Sequence, residues 1–253
     1  MHANLLQLSK KIRVGAVSYL NTKPLLYGLQ HHAVSESIEL MEDYPANLAR
    51  ALQENTIDIG LVPVAVIPKL AEAHIISDYC IGATGPVASV CIFSKVPMEQ
   101  IQSLYLDYQS KTSVNLARVL LKNYWNKEIL LLEAPANFMD LIDGTTAAVI
   151  IGDRALDKFD SYPFRYDLAE AWINYSGKPF VFATWVSNKE LDPSFIASFN
   201  EANALGLSNI ETVIDQLTAD QYAYDLHTYF TKNISYTLDT AKKEGMAQFL
   251  ALL

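Results

Sequence analysis

Short apolar runs alternate with amphipathic helical segments from Ile12 to Pro63, and few folds can absorb that alternation. Ile12–Val17 is an apolar run, and Thr22-Lys23-Pro24-Leu25 opens a helix with proline in its first turn, where a missing N–H costs nothing. Ser37–Met41 reads as a second strand. Pro45 starts a helix with Leu48, Ala49 and Leu52 on one face, and Ile57–Val62 gives a third strand closed by Pro63. Strands and helices at this spacing build right-handed crossover units around a mainly parallel sheet.

The pattern then changes. Ile75–Ala83 and Val87–Ser94 are extended apolar stretches separated by Thr84, Gly85 and Pro86. Alternation resumes with strands at Leu104–Asp107, Ile129–Leu132 and Ala147–Gly152 and helices at Thr112–Asn123 and Phe138–Ile142. Phe180–Ser187 is another long apolar strand, and the chain beyond it reads as almost wholly helical. Extended stretches on both sides of a central α/β unit predict an α/β fold of two lobes whose chain crosses twice. The outer lobe is expected at residues 12–88 plus 186–253, the inserted lobe at 89–185, with hinges near Ser89 and Thr184. One doubly wound domain with a helical tail is the other arrangement. No glycine-serine linker separates the halves, which favours crossover strands over a tether.

With 253 residues, 51% of them hydrophobic, the chain can bury its cores without staples. A formal net charge of −9 disfavours a nucleic-acid partner, so any anionic ligand must be held by local donors. Cys80 and Cys91 lie in apolar runs without metal or redox spacing and read as buried free thiols. No run reaches the ~18 apolar residues that span a bilayer, and Met1–Lys11 lacks the pattern of a secretory leader, so a cytoplasmic protein without membrane contact is expected. Phosphate loops, nucleophile elbows and His-Glu-x-x-His are absent, and the five histidines have no neighbouring acids. No metal or cofactor is expected; any reaction must run on positioning and hydrogen bonding.

Four segments could carry chemistry. Ser18, Tyr19 and Asn21 fall between the first strand and helix, at the carboxyl end of the sheet where open α/β folds bind ligands. Asn21 or Thr22 could instead simply cap the helix. Ser110, Thr112 and Ser113 occupy the same position in the inserted lobe, where hydroxyls and a helix N-terminus form a carboxylate cradle or an unliganded cap. Ser89 stands at the crossover and either faces the cleft or faces solvent. Asp153, ending an inserted-lobe strand, could cap the next helix, accept from a substrate hydroxyl or act as a base. Loops from opposite lobes suit a small dicarboxylate held between them.

These segments resemble the chorismate dehydratases of the futalosine route to menaquinone. The resemblance rests on Arg13–Leu25, Ile57–Val64, Gly85–Val90 with Phe93–Lys95, Lys111–Val114 and Ile151–Asp153, in order along nearly the whole chain. Gln109 and Lys111 stand where small or arginine residues are expected. The resemblance implies a type II periplasmic-binding-protein fold and loss of water from chorismate to give 3-[(1-carboxyvinyl)oxy]benzoate. With the cleft placed between the lobes, catalysis is expected at Asn21 and Ser89, and substrate binding at Ser18, Tyr19, Ser110, Thr112, Ser113 and Asp153. The base stays open between Asp153 and the substrate's own enolpyruvyl carboxylate. A non-catalytic solute-binding protein would share the fold. The sister enzyme that makes 1,4-dihydroxy-6-naphthoate would need a histidine base, and no histidine lies in these loops.

Overall fold

The computed structural model describes residues 11–217 and 222–253; His2 and the segment expected not to be a secretory leader lie outside the described residues but for Lys11. The first sheet has six strands in the order β11-β4-β10-β3-β1-β2. They are β1 (Ile12–Val17), β2 (Ile38–Asp43), β3 (Ile59–Pro63), β4 (His74–Ala83), β10 (Phe180–Ser187) and β11 (Ser235–Thr237). β1 runs parallel to β2 and β3, whereas β10 lies antiparallel between β3 and β4. The second sheet has five strands in the order β7-β6-β8-β5-β9. These are β5 (Val90–Ser94), β6 (Ser103–Leu106), β7 (Leu130–Glu133), β8 (Thr146–Ile151) and β9 (Phe164–Asp167). β6 pairs parallel with β7 and β8, and β5 antiparallel with β8 and β9.

The chain therefore leaves the first sheet after Ala83 and enters the second at Val90. Helix α1 (Lys23–His31) and α2 (Pro45–Gln53) follow β1 and β2, and α3 (Lys111–Asn123) follows β6. After β8 come α4 (Asp153–Asp157), β9 and α5 (Leu168–Ser176), and the return to the first sheet runs through Gly177–Pro179. Every residue of β10 is buried, as expected of an inner strand covered on both faces. Thr184, beside which a hinge was expected, sits in mid-strand paired with Val62 and Cys80, next to an irregularity in the β10–β4 register. Both cysteines are buried and free.

The tail is not wholly helical. Helices α6 (Pro193–Ser208), α7 (Ile210–Gln216), α8 (Leu226–Thr228) and α9 (Thr240–Leu250) are interrupted by β11, which adds an antiparallel edge to β4. The strand is too short to show a period. Burial holds it: Tyr236 is buried, and the almost fully buried Lys242 ammonium donates to Ser235 Oγ at 2.7 Å and to the Thr237 carbonyl at 2.6 Å. Such a cation is tolerated inside only because it is hydrogen-bonded. α1 and α6 meet backbone to backbone, and that contact sets where the loop preceding α1 is held.

Candidate active site

β1 delivers its last residue, Val17, to the junction of the two sheets, and the chain then turns through Ser18–Thr22 into α1. A cavity opens there, with about 530 Å³ of empty space when the open solvent at its mouth is included. Tyr19, Asn21 and Thr22 line it from the first sheet, Ser110 and Ser113 from the second, and Ser89 from the passage between them. Val17, Ile81, Val87, Ile151 and Phe182 supply apolar wall. No lysine, arginine, histidine or carboxylate is among these lining residues. An anion held here is held by neutral donors.

The strongest of those donors stand at the start of α3. Ser110 is its N-cap and accepts the Ser113 N–H at 3.2 Å, and the two hydroxyls lie 3.0 Å apart. Capping and a place in the cavity wall are thus combined in one residue, and the helix dipole adds positive potential on the same side. Asn21 does not cap α1: no side chain caps that helix, and the Thr22 hydroxyl donates to Asn21 Oδ1 at 3.2 Å. Its amide is left for other partners. The Tyr236 hydroxyl holds the Asn21 carbonyl at 2.9 Å. Ser89 is 1% exposed, which removes the solvent-facing alternative, and its carbonyl accepts the Gly152 N–H at 2.7 Å.

Three expected contacts lie elsewhere. Ser18 is half-buried, outside the cavity wall, with its N–H directed at the Asp43 carbonyl. Thr112 is fully buried and its Oγ1 accepts the Ala65 N–H at 3.2 Å. Asp153 does not cap its own helix; it reaches across to accept the Leu20 N–H at 3.1 Å. Thr112 and Asp153 thus join the two halves of the molecule. Burial pushes the Asp153 carboxyl above its ordinary range, opposed by that Leu20 N–H.

Tyr19 makes a further bridge. Its hydroxyl donates to Gln109 Oε1 at 2.5 Å, an oxygen that also accepts from Arg154 at 2.7 Å. Arg154 in turn donates to the fully buried Asp107 at 2.6 Å. Burial raises the Asp107 carboxyl, and Arg154 together with the Gln109 and Ile151 N–H groups works against that rise. Gln109, an unexpected residue at its position, is therefore the acceptor that ties Tyr19 to a buried ion pair. Asp107, Arg154, Tyr229 and Tyr236 were not singled out from sequence. A tyrosine in an apolar helical stretch carries no mark that separates a site wall from ordinary core.

A family model described as menaquinone biosynthesis matches residues 12–253. The chain belongs to that family. It is similar to the chorismate dehydratase of Thermus thermophilus, 24% identical over 271 residues that cover 95% of this chain and 94% of the relative. Among solved structures, a structural-genomics protein of Archaeoglobus fulgidus superposes with a TM-score of 0.71 at 13% identity, covering 96% of this chain and 97% of that one. The aliphatic sulphonate binding protein SsuA of Escherichia coli gives 0.62 at 15% identity, covering 96% and 91%. The fold is that of the periplasmic binding proteins, as its two sheets and paired crossings predict. In this member of the menaquinone-biosynthesis family the matched region takes in both sheets and the tail, so Tyr229 and Tyr236 lie inside it. No described helix is long and apolar enough to cross a membrane.

Proposed function

We propose that the protein is a cytoplasmic hydro-lyase that converts chorismate to 3-[(1-carboxyvinyl)oxy]benzoate and water. The observation that carries the reading is the composition of the cavity wall: neutral donors and a helix N-terminus on one side, apolar surface for a ring on the other. One carboxylate of the substrate rests on Ser110, Ser113 and the first turn of α3. The proton beside the enolpyruvyl ether is vinylogous to the ring carboxylate, so its removal sends negative charge toward that group. Donors fixed in advance around the developing charge lower the barrier without reorganising. Asn21 and Ser89 act at the reacting side of the ring. Loss of the neighbouring hydroxyl, with the abstracted proton, completes one water, and aromaticity drives the step.

The base is assigned to the substrate's enolpyruvyl carboxylate. Asp153 is outside the wall and already accepts the Leu20 N–H, and Tyr19, the titratable residue of the wall, is a poor base because burial, then the Asp107 charge, hold its phenol protonated. A histidine base of the kind the naphthoate reading needs has no counterpart among the lining residues. Likeness to a sulphonate-binding protein favours one rival, simple capture of a small anion.

Turnover separates the two. Incubated with chorismate and no added metal or nucleotide, the protein is expected to yield a product lighter by one water, with the ultraviolet spectrum of an aromatic acid. Chorismate that stays unchanged for hours beside folded protein, yet is retained on gel filtration, would identify a binder instead.

A further inference from the structure

We propose that Tyr229 is a positioning residue for the dehydration, fixing Ser89 as a donor into the cavity; the role rests on the chorismate reading. Tyr229 begins a wide turn of the tail, Tyr229–Asn233, and is fully buried. Its hydroxyl donates to Ser89 Oγ at 2.9 Å. Ser89 has one O–H and two lone pairs. With a lone pair taken from behind, its own O–H is left to point into the cavity that Ser89 lines.

The surroundings of Ser89 serve the same end. Ala88, just before it, has φ of 61°, a conformation that a residue with a Cβ adopts only when held there. Three contacts do the holding. Asp167 accepts the Ala88 N–H at 2.7 Å, Asn233 donates to the Pro86 carbonyl at 2.9 Å, and Tyr229 takes the side chain of Ser89. Asn233 is itself fixed by the Tyr224 hydroxyl at 3.1 Å. A serine on a free loop would spread over three staggered rotamers, so its hydroxyl would point at the substrate only part of the time. Tyr229 is not a proton source in this scheme, because burial holds its phenol protonated and no cation is among the described residues that line the cavity.

The test is a double-mutant cycle on chorismate turnover with the parent, Tyr229→Phe, Ser89→Ala and the pair. Phenylalanine keeps the buried ring and removes only the hydroxyl. Tyr229→Phe should lower kcat about tenfold and leave KM within about twofold, as expected for a donor that acts on the transition state. In the Ser89→Ala background the same change should cost less than about twofold, because the group it positions is gone. Equal losses in both backgrounds, whether from partial unfolding or from an independent effect, overturn the role. So does an unchanged kcat in Tyr229→Phe alone. A parent that does not turn chorismate over defeats the underlying reading instead, and the two failures are thereby distinct.

Discussion

Asn21→Ala and Ser89→Ala are each expected to lose about 10²–10³ in chorismate turnover while remaining folded. Both side chains line the cavity, and neither supports a helix end or a sheet ladder. Their loss therefore falls on the transition state, where the charge they face is largest. Ser89→Ala also leaves the buried Tyr229 hydroxyl without its acceptor, at a cost of roughly 1–2 kcal/mol in stability. In a chain of this size that lowers the melting temperature by only a few degrees. The check is a paired one, steady-state kinetics and thermal unfolding on each variant. Early melting with near-parental turnover in the cold would make these residues structural.

Gly206→Ala is expected to give the largest loss of stability. A Cβ at Gly206 would sit 1.8 Å from the Pro24 carbonyl oxygen, and one at Gly28, on the facing helix, 1.9 Å from the Ala202 carbonyl oxygen. Backbone atoms cannot step aside as a side chain can, so α1 and α6 must separate along their contact. A cost of about 3 kcal/mol or more follows, with a fall in melting temperature of roughly 6–12 °C. Because α1 starts at Lys23, directly after the Asn21 loop, ligand binding should weaken as well. Gly85→Ala is the control: nothing lies within 4 Å of its Cβ position, and its melting should match the parent. Calorimetry on the two variants decides the matter, and equal melting of Gly206→Ala and parent would refute the close helix contact.

The strands legible in the sequence were those with a largely apolar run, such as Ile12–Val17 and Phe180–Ser187, because burial of both faces calls for apolar residues at successive positions. β9 (Phe-Arg-Tyr-Asp) and β11 (Ser-Tyr-Thr) are short edge strands of mixed polarity whose pairing is set by tertiary contacts, so no local pattern marks them. Among the candidate residues, those read from β-to-α loops divided in two. Asn21, Tyr19, Ser110 and Ser113 meet at one cavity with Ser89, while Thr112 and Asp153 turn to backbone N–H groups of the other half. Both groups are polar residues from the same kind of β-to-α loop. Only the direction of the side chain separated them, and that direction depends on the packing of two sheets joined by distant chain segments. The tyrosines behind the site come from the tail, more than a hundred residues from Ser89 in sequence, beyond reach of any motif.

A crystal structure with the aromatic enolpyruvyl ether bound bears most directly on whether this cavity is where chorismate loses water. The product should lie in the cavity between the sheets, one carboxylate within hydrogen-bond distance of Ser110, Ser113 and the first turn of α3. Asn21 and Ser89 should face the ring carbons that lost the proton and the hydroxyl, with Asp153 still holding the Leu20 N–H. A product found outside this cavity, or one whose ring is met by Asp153 in place of Asn21 and Ser89, would contradict the assignment.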